Sequence, residues 1–209
     1  MPLRVLQHPL AAHIITHLRD KTTKPATFRT LAYQISLLLA IEATRDLESE
    51  TKEINTPLER MAGRVLVHDA LVVVPILRAG LGMVQPFSDI FPDVSVGYIG
   101  IERDHQTAKP RSYYCKLPPL AGNAGRHVFV VDPMLATGGS AVAALSVVKE
   151  AGAVNPTLVS IVSSPEGVAG VEKHHPGTVI HTAALDRELN ARKYILPGLG
   201  DFGDRLYGT

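Results

Sequence analysis

The chain has 209 residues, of which 45% are hydrophobic, 20% charged and 5% aromatic, and its formal net charge is +1. This length predicts one domain, 1–209, and this apolar share is enough for a sizeable core. The near-neutral charge and low aromatic content argue against a nucleic-acid partner, and no stretch approaches the roughly 18 uninterrupted apolar residues of a membrane span.

The N-terminal residues 1–4 lack the long apolar core of a signal peptide. The single cysteine, Cys115, excludes an intrachain disulfide and suits a reducing compartment. We therefore expect a cytoplasmic protein without a membrane partner.

The first third, about 8–50, reads as helical. Apolar residues recur at helical spacing in two stripes: Leu10, Ile14 and Leu18, then Phe28, Leu31, Ala32, Ile35, Leu38 and Leu39. Thr27 is the predicted N-cap of the second helix. The segment after Leu47 is charged and predicted to be irregular, with a turn at Pro57.

Two histidines, His13 and His17, lie four residues apart on the first predicted helix. Zinc-binding helices use this spacing, but no glutamate lies between the two and no third ligand is evident. A surface or interface role is the favoured alternative.

From residue 65 onward the pattern alternates between strands and helices. Predicted strands cover 71–74, 94–99, 128–131, 158–162 and 179–182, and a helix over 141–150 is expected to stop at Gly152. Such alternation predicts a mainly parallel sheet with helices packed on it. Ligands of such sheets bind beyond the carboxyl ends of the strands.

The stretch of about 102–119 is long, polar and basic, and we predict a flexible loop there that acts as a lid. Its cations Arg103, Lys109 and Arg111 either close over a polyanionic substrate or are ordinary solvated charges.

The run from Val128 to Ser140 is the most informative part of the chain. An apolar strand ends at Asp132, and small residues lead from there into a helix. The unpaired N–H groups at a helix start bind phosphate well, and two glycines let the backbone approach an anion. Asp132 would repel phosphate, so it suits ribose hydroxyls or a divalent cation. The run therefore predicts a sugar-phosphate site.

The tail, about 186–209, is rich in glycine and proline from Lys193 onward. This composition argues against a regular helix or a central strand there. Its backbone polar groups are thus expected to be free to meet a ligand.

Three segments together resemble the uracil phosphoribosyltransferase family: 73–83, 131–140 and 194–204. The resemblance implies the type I phosphoribosyltransferase fold, which is α/β. That fold has a mainly parallel central sheet flanked by helices, with N-terminal helices and a small C-terminal hood over the base. In most phosphoribosyltransferases the phosphate loop begins with two acids, whereas the second position here is Pro133, as is common in this family.

The resemblance also implies which residues meet each substrate. The expected catalytic residues are Asp132, Arg78 and Arg103. The expected ligands of 5-phosphoribosyl 1-diphosphate (PRPP) are Arg78, Arg103, Asp132, Pro133, Met134, Leu135, Ala136, Thr137, Gly138, Gly139, Ser140 and Asp201. The expected ligands of uracil are Ile195, Gly200, Asp201 and Phe202.

By this resemblance the chain joins uracil to PRPP, giving UMP and diphosphate, with Mg²⁺ held mainly through PRPP and without direct protein ligands. GTP is an effector of some relatives, and the family commonly forms homodimers or larger homo-oligomers, which would bury the apolar N-terminal helices. Two alternatives stay open: a purine or orotate phosphoribosyltransferase, and a non-enzymatic RNA-binding regulator of the same fold that senses pyrimidine nucleotides.

Overall fold

The computed structural model describes residues 3–67, 71–103, 110–120 and 127–209, without the side chains of Arg103 and Pro110. Within these ranges the main sheet has nine strands. They are β1 (Leu3–Val5), β4 (Leu71–Leu77), β5 (Ser95–Val96), β6 (Tyr98–Arg103), β7 (Pro110–Lys116), β8 (His127–Val131), β9 (Met134–Leu135), β10 (Thr157–Ser163) and β11 (Ile180–Leu185). Two antiparallel pairs lie apart from this sheet: β2 (Ser49–Asn55) with β3 (Arg60–Leu66), and β12 (Glu188–Leu189) with β13 (Ile195–Leu196).

The sheet order is β1-β11-β10-β8-β4-β6-β7, with β5 beside β4 and β9 beside β10. Neighbouring strands are parallel except for β6 and β7, which are antiparallel. The carboxyl ends of β4 and β8 therefore lie at one edge, where Arg78 and Asp132 follow them. The mainly parallel sheet predicted from the sequence is confirmed.

Six helices occur in the described ranges: α1 (Pro9–Arg19), α2 (Pro25–Ala43), α3 (Val84–Ile90), α4 (Gly139–Glu150), α5 (Pro165–His174) and α6 (Phe202–Tyr207), with a 3₁₀ turn at Ala79–Met83. They pack on both faces of the sheet. Because successive residues of a strand point to opposite faces, each strand contributes side chains to a core on either side. Val73 packs in a core with Phe28 of α2, whereas Val72 packs in a second core with Leu145 of α4.

Four of the strands predicted from the sequence are present as single strands, whereas the strand predicted at 94–99 is divided at Gly97 into β5 and β6. Gly152 follows the end of α4 with φ 103°, as expected. The predicted cap at Thr27 is wrong, because α2 begins at Pro25 with Lys24 as its N-cap. Proline suits the first helical turn, since its φ is already helical and its missing N–H costs nothing there.

Three segments differ from the sequence-based expectation. The charged segment after Leu47, predicted to be irregular and partly helical, forms the β2–β3 hairpin around Pro57. The described part of the predicted 102–119 loop is mostly strand, in β6 and β7. The tail contains a helix, α6, despite Gly203 within it.

A helix long and apolar enough to cross a membrane was sought in the described ranges, and there is none.

Candidate active site

The loop between β8 and α4 forms a cavity of about 130 Å³. Its walls are Asp132, Met134, Leu135, Ala136, Thr137, Gly138, Gly139, Ser140 and Ala141. The N-cap residue Gly138 has no side chain to cap α4, and the Gly139 N–H has only a long contact of 3.5 Å to the Thr137 hydroxyl oxygen. No acidic residue lies in the first turn, so its N–H groups favour an anion. Thr137 and Ser140 add hydroxyl groups, and the cavity has the features of the predicted phosphate site.

Gly138 is required at the start of α4 for two reasons. Its φ is +81°, and a Cβ built on it would lie 2.8 Å from the carbonyl oxygen of Gly167. The loop before α4 and the helix α5 therefore pack with their backbones in contact. Pro133 does not line the cavity; its carbonyl oxygen accepts hydrogen bonds from the N–H groups of Ile161 and Val162. The structure thus gives Pro133 a role in holding the loop against β10.

Asp132 lies half-buried at the carboxyl end of β8. Desolvation raises the pKa of its carboxyl group from 3.8 to about 7, although a hydrogen bond from the backbone of Met134 acts in the opposite direction. The same side chain also lines a second cavity. Asp132 therefore lies between the two cavities. This position suits a group that binds the central part of a ligand that occupies both.

That second cavity has a volume of about 240 Å³. It is lined by Ala79, Asp132, Met134, Ala136, Lys193, Tyr194, Ile195, Gly200, Asp201, Phe202 and Gly203. All four residues predicted at the base are among them. The ring of Phe202, however, is buried against Phe28 in the core, with ring centroids 5.3 Å apart, so its backbone is the part available to a ligand.

A third cavity of about 370 Å³ shares Ala79, Asp201 and Gly203 with the second and is lined by Leu77, Arg78, Ala79, Ile101, Glu102, Tyr113, Asp201 and Gly203. Arg78 is exposed at the end of β4, and its carbonyl oxygen accepts a hydrogen bond of 3.2 Å from the Tyr207 hydroxyl. Behind it, a Cβ on Gly80 would lie 2.6 Å from the carbonyl oxygen of Val131, so the two strand ends approach closely.

The structure brings Arg78, Asp132 and Asp201 to one set of cavities that share lining residues. Arg103 ends β6, but its side chain lies outside the described part, and so does Lys109. Sequence reasoning missed Ala79, Glu102, Tyr113, Lys193, Tyr194 and Gly203 as lining residues. Glu102 and Tyr113 lie in the segment predicted as a flexible loop, where a strand register would have shown which side chains point inward.

An ion pair between the buried Asp186 and the partly exposed Arg19 holds the C-terminal segment next to the second cavity. Arg19, the last residue of α1, donates two hydrogen bonds to the Asp186 carboxylate and a third, of 2.8 Å, to the carbonyl oxygen of Gly198. The Gly198 N–H donates to the same carboxylate at 2.8 Å. A Cβ on Gly198 would lie 2.2 Å from the carbonyl oxygen of Ile195, so the turn admits glycine alone. Both polar backbone groups of Gly198 are therefore fixed.

Arg205 of α6 makes a second connection to α1. Its guanidinium donates to the carbonyl oxygens of Leu18, Asp20 and Leu199, and it lies 4.5 Å from the centroid of the Phe28 ring. From the sequence alone, a surface ion pair with the neighbouring Asp204 would be the alternative for Arg205. Its contacts show instead that Arg205 satisfies carbonyl groups at the end of α1, where a cation is favoured.

His13 and His17 are exposed, with ring centroids 4.5 Å apart. Across the described ranges no group of three or more His, Cys, Asp or Glu side chains could hold a metal ion. The pair therefore gains no third ligand there.

Comparison with known proteins gives consistent results. The family model described as uracil phosphoribosyltransferase matches residues 5–209. A uracil phosphoribosyltransferase of Thermosipho africanus is 51% identical over 209 residues, covering 100% of both chains. One of Symbiobacterium thermophilum is 49% identical over 205 residues, covering 98% of this chain and 97% of the relative.

Solved structures of other proteins are also similar to this chain. The AQ2163 protein from Aquifex aeolicus superimposes with a TM-score of 0.91 and 34% identity, covering 99% of this chain and 98% of that one. A purine phosphoribosyltransferase from Pyrococcus horikoshii has a TM-score of 0.52 at 15% identity, covering 75% and 83%. The similarity to the purine phosphoribosyltransferase shows a shared fold.

Proposed function

The chain belongs to the uracil phosphoribosyltransferase family, and from this premise we propose that it transfers the 5-phosphoribosyl group of PRPP to N1 of uracil, giving UMP and diphosphate. The observation that carries the proposal is the position of Asp132, which lines both the phosphate cavity and the cavity at the C-terminal segment. A ribose held there has its 5-phosphate on one side and a base on the other. The RNA-binding regulator has no support among the named relatives.

We assign PRPP to the first and third cavities. The 5-phosphate binds at the start of α4, on the backbone of Gly138 and Gly139 and the hydroxyls of Thr137 and Ser140. The Asp132 carboxylate accepts hydrogen bonds from the ribose hydroxyls. The diphosphate then lies in the cavity beside Arg78, whose guanidinium can bind two phosphate oxygens at once.

Uracil is assigned to the cavity lined by Ile195, Gly200, Asp201 and Phe202. Its O2, N3–H and O4 present an acceptor, a donor and an acceptor, which backbone N–H and C=O groups can match. Cytosine reverses two of these groups. Each unpaired buried polar group costs about 1–3 kcal/mol, so main-chain recognition alone can reject cytosine.

The reaction follows from this placement. The bond between ribose C1 and the diphosphate oxygen breaks, its electron pair leaves with the diphosphate, and uracil N1 attacks the opposite face of C1, so that the configuration inverts. Arg78 stabilises the negative charge of the leaving group. The proton of uracil N1 passes to an oxygen of the departing diphosphate, and we assign no dedicated protein base. Positioning of the two substrates supplies much of the rate.

Mg²⁺ fits this site as a partner of the substrate. The described residues offer no three-ligand cluster, yet Glu102 and Asp201 bring two carboxylates to the cavity assigned to diphosphate. Mg²⁺ usually binds one or two carboxylates together with substrate phosphates. When bound, it neutralises charge on the diphosphate.

The predicted lid of about 102–119, whose residues 104–109 lie outside the described part of the chain, is proposed to close over bound PRPP and exclude water from the activated ribose. Support comes from β7, which brings Tyr113 to the cavity wall and the exposed Arg111 nearby. The assignment of Arg103 to the diphosphate rests on the family resemblance, as its side chain lies outside the described part.

We propose a homodimer or larger homo-oligomer, formed through the β2–β3 hairpin. The apolar residues of α1 and α2 are largely buried within the chain itself, against the sheet. The hairpin instead exposes Ile54 (40%), Leu58 (95%) and Met61 (44%). Exposed apolar groups of this kind mark contact surfaces. Light scattering after size-exclusion chromatography tests this, with Leu58→Asp and Met61→Asp expected to give monomers.

A cytoplasmic location is proposed because Cys115 is a free, exposed thiol, which suits a reducing compartment. Regulation by GTP is proposed on the family resemblance, and a change in uracil conversion on adding GTP would support it.

The decisive experiment supplies purified protein with Mg²⁺, PRPP and labelled uracil, and follows labelled UMP. Orotate, hypoxanthine and cytosine are added as competitors. Conversion of uracil that these bases do not inhibit supports the proposal. Absence of UMP, or preferred use of orotate or hypoxanthine, refutes it.

A further inference from the structure

Tyr113 lies at a bulge in the β6–β7 pair. Gly100 is paired with Tyr114 and the next residue of β6, Ile101, with Ser112, so Tyr113 has no partner of its own in the ladder. A bulge turns a side chain out of the regular alternation of a strand. The side chain of Tyr113 crosses β6 at Gly100.

The contact with Gly100 fixes the direction of the ring. A Cβ built on Gly100 would lie 2.5 Å from Cζ of Tyr113 and 2.6 and 3.0 Å from its two Cε atoms. The hydroxyl-bearing end of the ring therefore rests on the glycine. Gly100 is the register partner of Leu77, the last residue of β4. The ring of Tyr113 thus lies over β6, and Tyr113 and Arg78 line the same cavity.

The cavity beside Arg78 needs neutral hydrogen-bond donors. Its described lining side chains carry one positive charge, on Arg78, and two negative charges, on Glu102 and Asp201. A diphosphate placed there relies on Mg²⁺ and on uncharged donors as well as on Arg78. Among the described lining residues, Tyr113 has the hydroxyl group.

We propose that the Tyr113 hydroxyl donates a hydrogen bond to the diphosphate of PRPP, and that Gly100 is glycine so that the ring can reach it. This inference rests on the function proposed above. It adds a substrate-binding residue on β7 to those on β4 and the phosphate loop.

Tyr113→Phe tests the hydroxyl group and keeps the ring over Gly100. The side chain is 52% exposed, so the variant keeps its fold. Since hydrogen bonds to charged groups are among the stronger ones, we expect calorimetry with Mg²⁺ to show PRPP bound about tenfold more weakly. UMP carries no diphosphate, so its affinity and the KM for uracil should change by less than about twofold.

Two further variants make the test specific. Tyr114→Phe is the matched control, because Tyr114 is 45% exposed, adjacent in the chain and not part of the cavity wall. Gly100→Ala displaces the Tyr113 ring and should also lower the affinity for PRPP. Combined with Tyr113→Phe it should add little, because both changes remove one interaction.

The outcomes separate this inference from the proposed function. If the unmodified protein forms no UMP, the function fails. If it forms UMP but Tyr113→Phe binds PRPP as well as Tyr114→Phe does, the inference alone is overturned. An equal loss of PRPP and UMP affinity also overturns it, because it would place Tyr113 at a part that the two ligands share.

Discussion

Asp132→Asn should make the ligand-free protein more stable above neutral pH while it impairs PRPP binding. The substitution keeps the shape of the side chain and an oxygen that can accept the hydrogen bond from the Met134 backbone. It removes the negative charge that burial disfavours. In the unmodified protein this charge is retained for the ribose at a cost in stability.

The magnitude follows from the pKa. Burial raises the pKa of Asp132 from 3.8 to about 7. Because each pH unit of such a rise corresponds to about 1.36 kcal/mol, the ionised carboxylate costs the folded state at most about 4 kcal/mol. Relaxation and water entry reduce this, and we expect about 1–3 kcal/mol.

The sign depends on which state holds the proton more tightly. A raised pKa means that the folded state does, so the unmodified protein loses stability as the pH rises from about 4 to about 7. Urea unfolding at about pH 4.5 and pH 8 measures this. The Asn variant should show a small advantage at the lower pH and the full advantage at the higher one.

Asp89→Asn is the control with the opposite sign. Hydrogen bonds from Tyr33 and Gln85 lower the pKa of the Asp89 carboxyl, so its charge stabilises the folded state at neutral pH. That variant should be less stable than the unmodified protein at about pH 8. An Asp132→Asn protein whose advantage does not change with pH, or that is less stable at pH 8, would refute the reasoning.

Three further predictions concern the same set of cavities. Arg78→Lys should raise the KM for PRPP about tenfold in steady-state assays, since an ammonium group cannot bind two phosphate oxygens in one plane. Asp186→Asn leaves the partly exposed Arg19 with a neutral partner, so urea unfolding should show a loss of about 1–3 kcal/mol, and the KM for uracil should rise more than that for PRPP. Gly138→Ala should cost about 2–3 kcal/mol in the same unfolding measurement, whereas Gly177→Ala, also at φ +81° but with open space around it, should cost about 1 kcal/mol.

Each of these has an outcome that contradicts it. Equal KM values for PRPP in Arg78→Lys and the unmodified enzyme would remove the guanidinium from diphosphate binding. An Asp186→Asn enzyme with unchanged uracil KM would show that Gly198 is held without the ion pair. Equal losses at the two glycines would mean that φ alone, and not the contact with α5, decides the cost.

The phosphate loop and the central strands could be predicted because their signals are local. Continuous apolar runs such as 71–74 occur where a strand is buried on both faces. Asp132 followed by small residues and a helix start is likewise readable within one short segment. These signals can be recognised without knowing how the rest of the chain folds.

The β2–β3 hairpin was missed because its strands lack an apolar pattern. Almost every residue of β2 is exposed, and β3 is similar, so neither shows the alternation that marks a half-buried strand. The start of α2 was misplaced for a related reason. Its apolar stripe begins at Phe28, three residues after Pro25 opens the helix.

The supports of the base cavity could not be predicted, because their partners are far apart in sequence. Asp186 and Arg19 are separated by 167 residues, and Arg205 and Leu18 by 187. An arginine in a helix and an aspartate after a strand each look like surface charges on their own. Their pairing depends on the path of the whole chain.

The hydrogen bonds that join α1 to Gly198 and Arg205 also separate two kinds of binding along the chain. The sheet and the phosphate cavity use residues up to Leu185, whereas seven of the residues that line the base cavity follow it. A proteolytic cut after Leu185 would therefore remove most of the base cavity and leave every residue that lines the phosphate cavity in the larger fragment. Such a fragment is expected to lose its preference for one base before it loses the groups that bind a sugar phosphate.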